Sequence, residues 1–250
     1  MGKDLALLAL GKYGTEIASY KAVEYSGACV STLTLSDKMA LANMAVEMAA
    51  KTSFIEPTSD VIKYVRERTS LDLEPVYTDP SFRYEQVLDL SVDALEPLVA
   101  CPSRVDNVHP VSEVEGEPVQ QALIGTCTGG RVEDIEMAVQ ILRGRKVHKE
   151  CRLLVAPASS EVLSQAISRG LISALLDAGA TLVTPGCGPC LGAHDGVLAP
   201  GESCISASSR NFPGRMGSSE SKVFVASPAT VAASAINARI ADPRRYLLGE

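Results

Sequence analysis

Tryptophan is absent from this 250-residue chain, and phenylalanine and tyrosine together make up only 4% of it. So sparse an aromatic set leaves little platform on which single-stranded nucleic acid could stack. Charge also argues against a broad nucleic-acid face, because the formal balance is −7 and the basic residues are scattered rather than gathered into a stripe. Small anions remain suitable ligands through local arginines. No apolar run approaches the length that crosses a bilayer, and the opening Met1-Gly-Lys-Asp-Leu5 lacks the basic, apolar and small-residue order of a signal peptide. No membrane partner is expected, and the reducing cytoplasm is the expected compartment. Seven cysteines, an odd number without a secretion signal, read as thiols, some metal-bound, rather than as a disulfide framework.

What is present is α/β patterning. Ser36 is placed to cap a helix from Asp37 to Ala50, Asp60 to Arg68 reads likewise, and Asp4 to Leu10 reads as an amphipathic element. Leu71 to Pro118 is rich in Pro, Asp, Ser and Glu, with an interdomain crossover expected near Ser112 to Pro118. From Val119 the alternation is regular. Strands are predicted at Ala122–Gly125, Arg152–Ala156, Thr181–Thr184 and Lys222–Ala226, with helices at Val132–Leu142, Ser160–Arg169, onward to Ala178, and Ala229–Ile240. Such βαβ alternation implies a mainly parallel sheet, whose C-terminal rim is where ligands bind in open α/β folds.

Two segments fall on that rim: Gly125-Thr-Cys127-Thr-Gly-Gly-Arg131 and Pro185-Gly-Cys187-Gly-Pro-Cys190-Leu-Gly192. Their three cysteines stand in glycine-rich turns where thiolates can converge on one inorganic centre. Three sulfur ligands can hold three irons of a cubane and leave the fourth iron open to substrate, as a Lewis acid. The Cys-x-x-Cys pair alone leaves structural zinc and thiol redox chemistry equally open. A third segment, Ser206-Ala-Ser-Ser-Arg210-Asn211-Phe-Pro-Gly214-Arg215, offers two arginines that can grip carboxylates with planar forks, although an isolated pair of this kind is more often a solvated loop.

With these segments stand Tyr20-Lys-Ala-Val-Glu24-Tyr-Ser-Gly27, Val99-Ala-Cys-Pro102, Val111-Ser-Glu-Val-Glu-Gly116, Arg131-Val-Glu-Asp134 and Ala226-Ser-Pro228. In this order they resemble the aconitase superfamily, close to the large subunits of 3-isopropylmalate dehydratase and homoaconitase, across the whole chain. The resemblance implies two three-layer α/β domains with mainly parallel sheets, the second domain of the family over 1–115 and the third, cysteine-bearing one over 116–250. It implies that Cys127, Cys187 and Cys190 ligate a [4Fe-4S] cluster, that Arg210 and Arg215 bind substrate, and that Glu24 and Asn211 are catalytic-site residues. The implied reaction is dehydration of a hydroxy di- or tricarboxylate of the alkylmalate or homocitrate type, followed by rehydration at the adjacent carbon.

Two positions depart from the family pattern: Gly129 stands where Cys-Thr-Asn is usual, and Ser209 where Asn-Arg-Asn-Phe is usual. The Asp-His and Asp-Ser-His motifs of the family's first domain are not in these 250 residues. The resemblance therefore implies a preceding domain, and a small subunit carrying the swivelling domain with its serine base and further arginines. Two other readings remain: a non-catalytic metal-binding module or remnant of such an enzyme, in which the three cysteines hold a degraded cluster, or zinc with His194 as the nearby fourth ligand, and a redox dithiol at Cys187 and Cys190 for which Cys127 is dispensable. Cys29, Cys101, Cys151 and Cys204 read as packed thiols, His109 and His148 as surface residues, and Glu113 and Glu115 as linker charges.

Overall fold

A computed structural model describes residues 1–247. The first part of the chain runs α1 (Gly2–Tyr13), β1 (Ala22–Tyr25), α2 (Ala28–Thr32), α3 (Leu35–Met44), β2 (Thr52–Ile55) and α4 (Ser59–Arg66). A long irregular segment then leads to β3 (Leu98–Ala100), β4 (Val108–Pro110) and α5 (Val111–Val114). Next come β5 (Gln121–Gly125), α6 (Val132–Leu142), β6 (Arg152–Ala156), α7 (Ser160–Ser168), α8 (Leu171–Ala178) and β7 (Thr181–Leu182). The chain closes with β8 (Ser203–Ser206), β9 (Lys222–Ala226), α9 (Pro228–Asn237) and α10 (Arg244–Leu247).

The fold is α/β with mostly parallel strands. β1 and β2 form a small parallel sheet, and the other seven form one sheet in the order β4-β3-β9-β8-β5-β6-β7. In it β9, β8, β5, β6 and β7 are mutually parallel, while β3 runs antiparallel to both β4 and β9. β3 and β4 precede residue 115, so this sheet draws strands from both sides of the division proposed at 115/116.

Strand alternation sends side chains to two different layers. Ile124, Leu153, Val155, Ile205 and Phe224 pack under α6 to α9, with Ile135, Ile141 and Leu175 facing them. On the opposite face, Leu98, Ala100 and Val225 meet Leu7 and Leu10 of α1 and Leu41 and Met44 of α3. Farther along that face, Leu123, Leu154 and Val223 are covered by Cys190, Leu198 and Met216. The cysteine loop is thus part of the second covering layer.

Three expectations need correction. The element expected as amphipathic is a helix buried almost all round, since Gly2 to Leu7, Ala9 and Leu10 are all inaccessible between the sheet and α3. Thr34, not Ser36, caps α3: its hydroxyl accepts from Asp37 N at 3.1 Å, and Ser36 is turned inward to donate to Glu133. That helix also stops short of Ala50, tightening at Ala45–Met48 into a 3-10 turn that ends on Ala49 at φ 62°.

α6 agrees with its predicted bounds, and its N-terminus carries a pH-sensitive group. Asp134 accepts from Arg131 N at 3.0 Å. Burial outweighs that bond and the attraction of Lys3, lifting the carboxyl from 3.8 to about 6. The folded chain therefore holds this proton more tightly than the unfolded chain does. The associated stability is complete below pH 3.8 and is lost as pH rises through about 6. Asp134→Asn, which keeps an acceptor and drops the charge, is expected to match wild type in urea unfolding near the low end of that window. At pH 7 it should exceed wild type by on the order of 1–3 kcal/mol.

Candidate functional site

The loops that leave β5, β7 and β8 all depart from the C-terminal edge of the parallel strands. They carry, respectively, Cys127, the Cys187/Cys190 pair, and Arg210 with Arg215. The two cysteine motifs thus meet at one rim with the arginine segment.

The loop after β5 is held open by unusual backbone. Thr126 has φ 65°, a strained conformation for a β-branched residue, and its buried hydroxyl has no partner among the described residues. Its N–H donates to Ala156 O at 2.8 Å, which ties the turn to the end of β6. Gly129 is needed for close approach, since a Cβ there would lie 2.6 Å from the Ala207 carbonyl oxygen. The absence of the family's asparagine at 129 therefore accompanies tight packing onto the start of the arginine loop. From the other side, Asn43 Nδ2 of α3 donates to Cys127 O at 3.2 Å.

Cys127 and Cys187 are exposed and Cys190 is buried, all as free thiols. Burial pushes the Cys127 thiol up, Cys190 and Cys187 push it in the same direction, and Lys3 opposes them. The three sulfurs thus share one electrostatic neighbourhood. Cys190 lies in a short 3-10 turn, Gly188–Leu191, and accepts a hydrogen bond from Arg215 Nη2 at 3.4 Å. His194 stacks against Gly188 and its Nδ1 pairs with Asp195 at 2.7 Å.

Arg215 is half-buried, lies over the Phe212 ring at 5.7 Å, and has a buried Nε without a partner. Arg210 Nε donates to Glu47 Oε1 at 2.8 Å. Burial raises the Glu47 carboxyl, and Arg210, Ser209 and Arg215 pull it back down. One carboxylate thus serves as counter-charge to both arginines. Asn211 is 3% exposed, and its amide donates to Cys101 O at 2.7 Å and Arg104 O at 3.3 Å, fastening the arginine loop to the β3–β4 turn. Only its Oδ1 is left without a partner.

Glu24 sits on β1, apart from these contacts. Its two oxygens accept from Thr78 Oγ1 and Tyr84 Oη, each at 2.6 Å, both in the irregular segment before β3. Among the described residues no hydrogen bond or ion pair joins it to the cysteine or arginine loops. Among the described residues the His109 and His148 side chains make only local bonds, the first to Glu113 and Asn107 and the second to Glu150 N.

Lys3, Asn43 and Glu47 are site residues that sequence reasoning missed. A signal existed for Lys3: a charge at the head of an otherwise apolar helical run must either snorkel or find buried partners. It does the latter, with three oxygen acceptors and 1% exposure, and burial lowers its ammonium from 10.5 to about 8.

A family model described as "Aconitase family (aconitate hydratase)" matches residues 1–118 and 112–238. The chain belongs to the aconitase family. Among curated relatives, 3-isopropylmalate dehydratase large subunit 1 of Methanopyrus kandleri is 50% identical over 98% of this chain and 59% of its own length. The probable methanogen homoaconitase large subunit of Methanosarcina mazei is 49% identical over 97% of this chain and 61% of its own. The 3-isopropylmalate dehydratase large subunit of Aquifex aeolicus is 44% identical over 100% of this chain and 59% of its own. The chain thus spans about three fifths of the length of these relatives.

Enzymes of the aconitase family generally carry a [4Fe-4S] cluster, and the donors here suit one. The thiols are soft ligands, and no three His, Cys, Asp or Glu side chains among the described residues close on a point that could hold a single ion. Soft thiolate donors of this kind serve iron-sulfur clusters and zinc alike. Buried polar atoms without partners, Thr126 Oγ1, Arg131 Nε, Asn211 Oδ1 and Arg215 Nε, gather in two of the same three loops. Among the described residues no helix is long and apolar enough to cross a membrane.

Proposed function

We propose that this chain is the cluster-bearing part of a [4Fe-4S] hydro-lyase that isomerises a hydroxy di- or tricarboxylate of the alkylmalate or homocitrate type by dehydration and rehydration. The observation that carries the reading is the meeting, at one sheet rim, of three thiols and two arginines, one paired with Glu47 and the other donating to Cys190. Family membership and the names of the relatives support it. Cys127, Cys187 and Cys190 would hold the cluster. When bound, it supplies an iron with an open position that acts as a Lewis acid toward hydroxyl and carboxylate oxygens.

This chain's own residues bind and orient. Arg210 is anchored through Nε on Glu47, which leaves the outer edge of its guanidinium for a carboxylate. Arg215 spends one nitrogen on Cys190 and keeps its Nε for another acceptor, so it bridges the cysteine loop and the substrate. Asn211 holds the loop that carries both. By the family resemblance Glu24 is assigned to the departing hydroxyl; Thr78 and Tyr84 fix its two oxygens, and each keeps a further lone pair. The relatives are named as large subunits. We take a small subunit as the partner that adds the serine base, and the preceding region of the relatives as the source of the remaining proton-transfer groups.

The test is anaerobic reconstitution with iron and sulfide, read by iron and labile-sulfide content and visible absorption. About four irons and four sulfides per chain are expected, absent in Cys127→Ser and retained in His194→Ala. Zinc bound in place of a cluster and lost with His194→Ala, or a cluster indifferent to Cys127, would refute the assignment.

A further inference from the structure

The most deeply buried charge near the proposed centre is not among the ligands. Lys3 Nζ donates to Thr128 Oγ1, Ala207 O and Ser208 O, each at 2.8 Å. Every one of these partners is itself buried, at 2% exposure or less. Thr128 follows Cys127 directly, and Ala207 and Ser208 lead into Arg210. The hydroxyl of Thr128 also donates to Ala207 O at 3.0 Å, so the three groups form one closed knot. Lys3 makes no ion pair among the described residues, although Asp134 and the thiols of Cys127 and Cys190 lie close enough to favour its charge.

A buried ammonium whose hydrogen bonds all go to neutral groups is costly to keep. Its charge is balanced when anionic sulfur gathers beside it. A cubane held by three thiolates is net anionic and becomes more so on reduction, so a nearby fixed cation favours both binding and reduction.

We propose that Lys3 is a positioning residue for the cluster: it pins the Cys127 loop and the lead into Arg210 to the first helix, and sets a fixed positive charge beside the cysteine thiolates. This rests on the cluster reading above. The tether is carried by the three hydrogen bonds to oxygen, and the charge by the ammonium.

Lys3→Met, Lys3→Arg and Thr128→Val are to be reconstituted beside wild type. The readouts are iron loss under a chelator, the reduction potential by spectroelectrochemistry, and circular dichroism for folding. Lys3→Met, which keeps length and removes charge, is expected to lose iron several-fold faster and to shift the potential to more negative values. Lys3→Arg restores the potential toward wild type. Thr128→Val, which keeps the charge and removes one of its acceptors, speeds iron loss and leaves the potential near wild type.

A purely structural lysine would not move the potential, and a Lys3→Met cluster with wild-type potential and iron loss overturns the inference. Equal shifts in Lys3→Arg and Lys3→Met overturn the charge role. If Lys3→Met fails to fold, Thr128→Val decides, and iron loss at the wild-type rate overturns the tether. A wild-type chain that takes up no cluster overturns both this inference and the reading beneath it. A wild-type chain that does, beside an indifferent Lys3→Met, overturns this inference alone.

Discussion

Gly130→Ala is expected to lower stability by about 3 kcal/mol and to leave a chain that takes up little or no cluster. A Cβ at this position would lie 2.7 Å from Ala156 O, from Gly125 Cα and from Thr126 N. All three are backbone atoms at the ends of the neighbouring strands β5 and β6, so no side chain can swing aside. The same atoms are engaged in the bonds that shape the turn: Thr126 N donates to Ala156 O, and Ala158 N donates to Gly130 O, each at 2.8 Å. Room for a methyl group opens only if one of these breaks, and the Cys127 loop then leaves its place on the rim. Gly144→Ala is the matched control. That glycine has φ 69° and open space around it, so alanine there meets strain without collision. It should cost about 1 kcal/mol and leave cluster content intact. Urea unfolding and iron analysis of the two variants distinguish the cases. Wild-type stability and iron content in Gly130→Ala would show that the turn tolerates displacement.

The part of the fold legible in the sequence is the part built by local pattern. α6, β6 and β9 lie at their predicted bounds because a buried parallel strand is a short apolar run and α6 carries its own capping signal in Asp134. β1, β2, β3, β4 and β8 were not read. They are three or four residues long, and their pairing is decided by distant partners such as Val99 with Ala226. α3 was misjudged for a related reason. Ser36 and Thr34 are both good caps in isolation, and what separates them is Glu133, 97 residues away, which draws Ser36 inward. The site divides in the same manner. Cysteine type and spacing, and two arginines in one loop, are visible in one dimension. Lys3 and Glu47 act across separations of 125 and 163 residues, on partners that have no motif of their own. A charge among apolar neighbours reads as a solvated face until the fold supplies its acceptors.

Arg215→Lys tests the chemistry most directly and should have the largest effect on turnover. In the proposed assembly, with the remainder of a relative's large subunit and a small subunit added, kcat/KM is expected to fall by about 10²- to 10³-fold, with iron content unchanged. The reason is geometric. One guanidinium nitrogen of Arg215 meets Cys190 Sγ at 3.4 Å while its Nε is unpaired, so a single rigid plane holds the cysteine loop and keeps a second donor for the carboxylate proposed above. A lysine ammonium is a point charge on a flexible stem and cannot span both. Arg210→Lys should behave similarly but less severely, because Glu47 still holds a cation there. Glu47→Gln keeps an acceptor for Arg210 and should raise KM more than it lowers kcat, since it loosens the fork without removing it. Loss of iron in Arg215→Lys would instead assign the residue to retention of the cluster. An unchanged kcat/KM would take it out of substrate contact altogether and leave the carboxylates to Arg210 and to groups outside this chain.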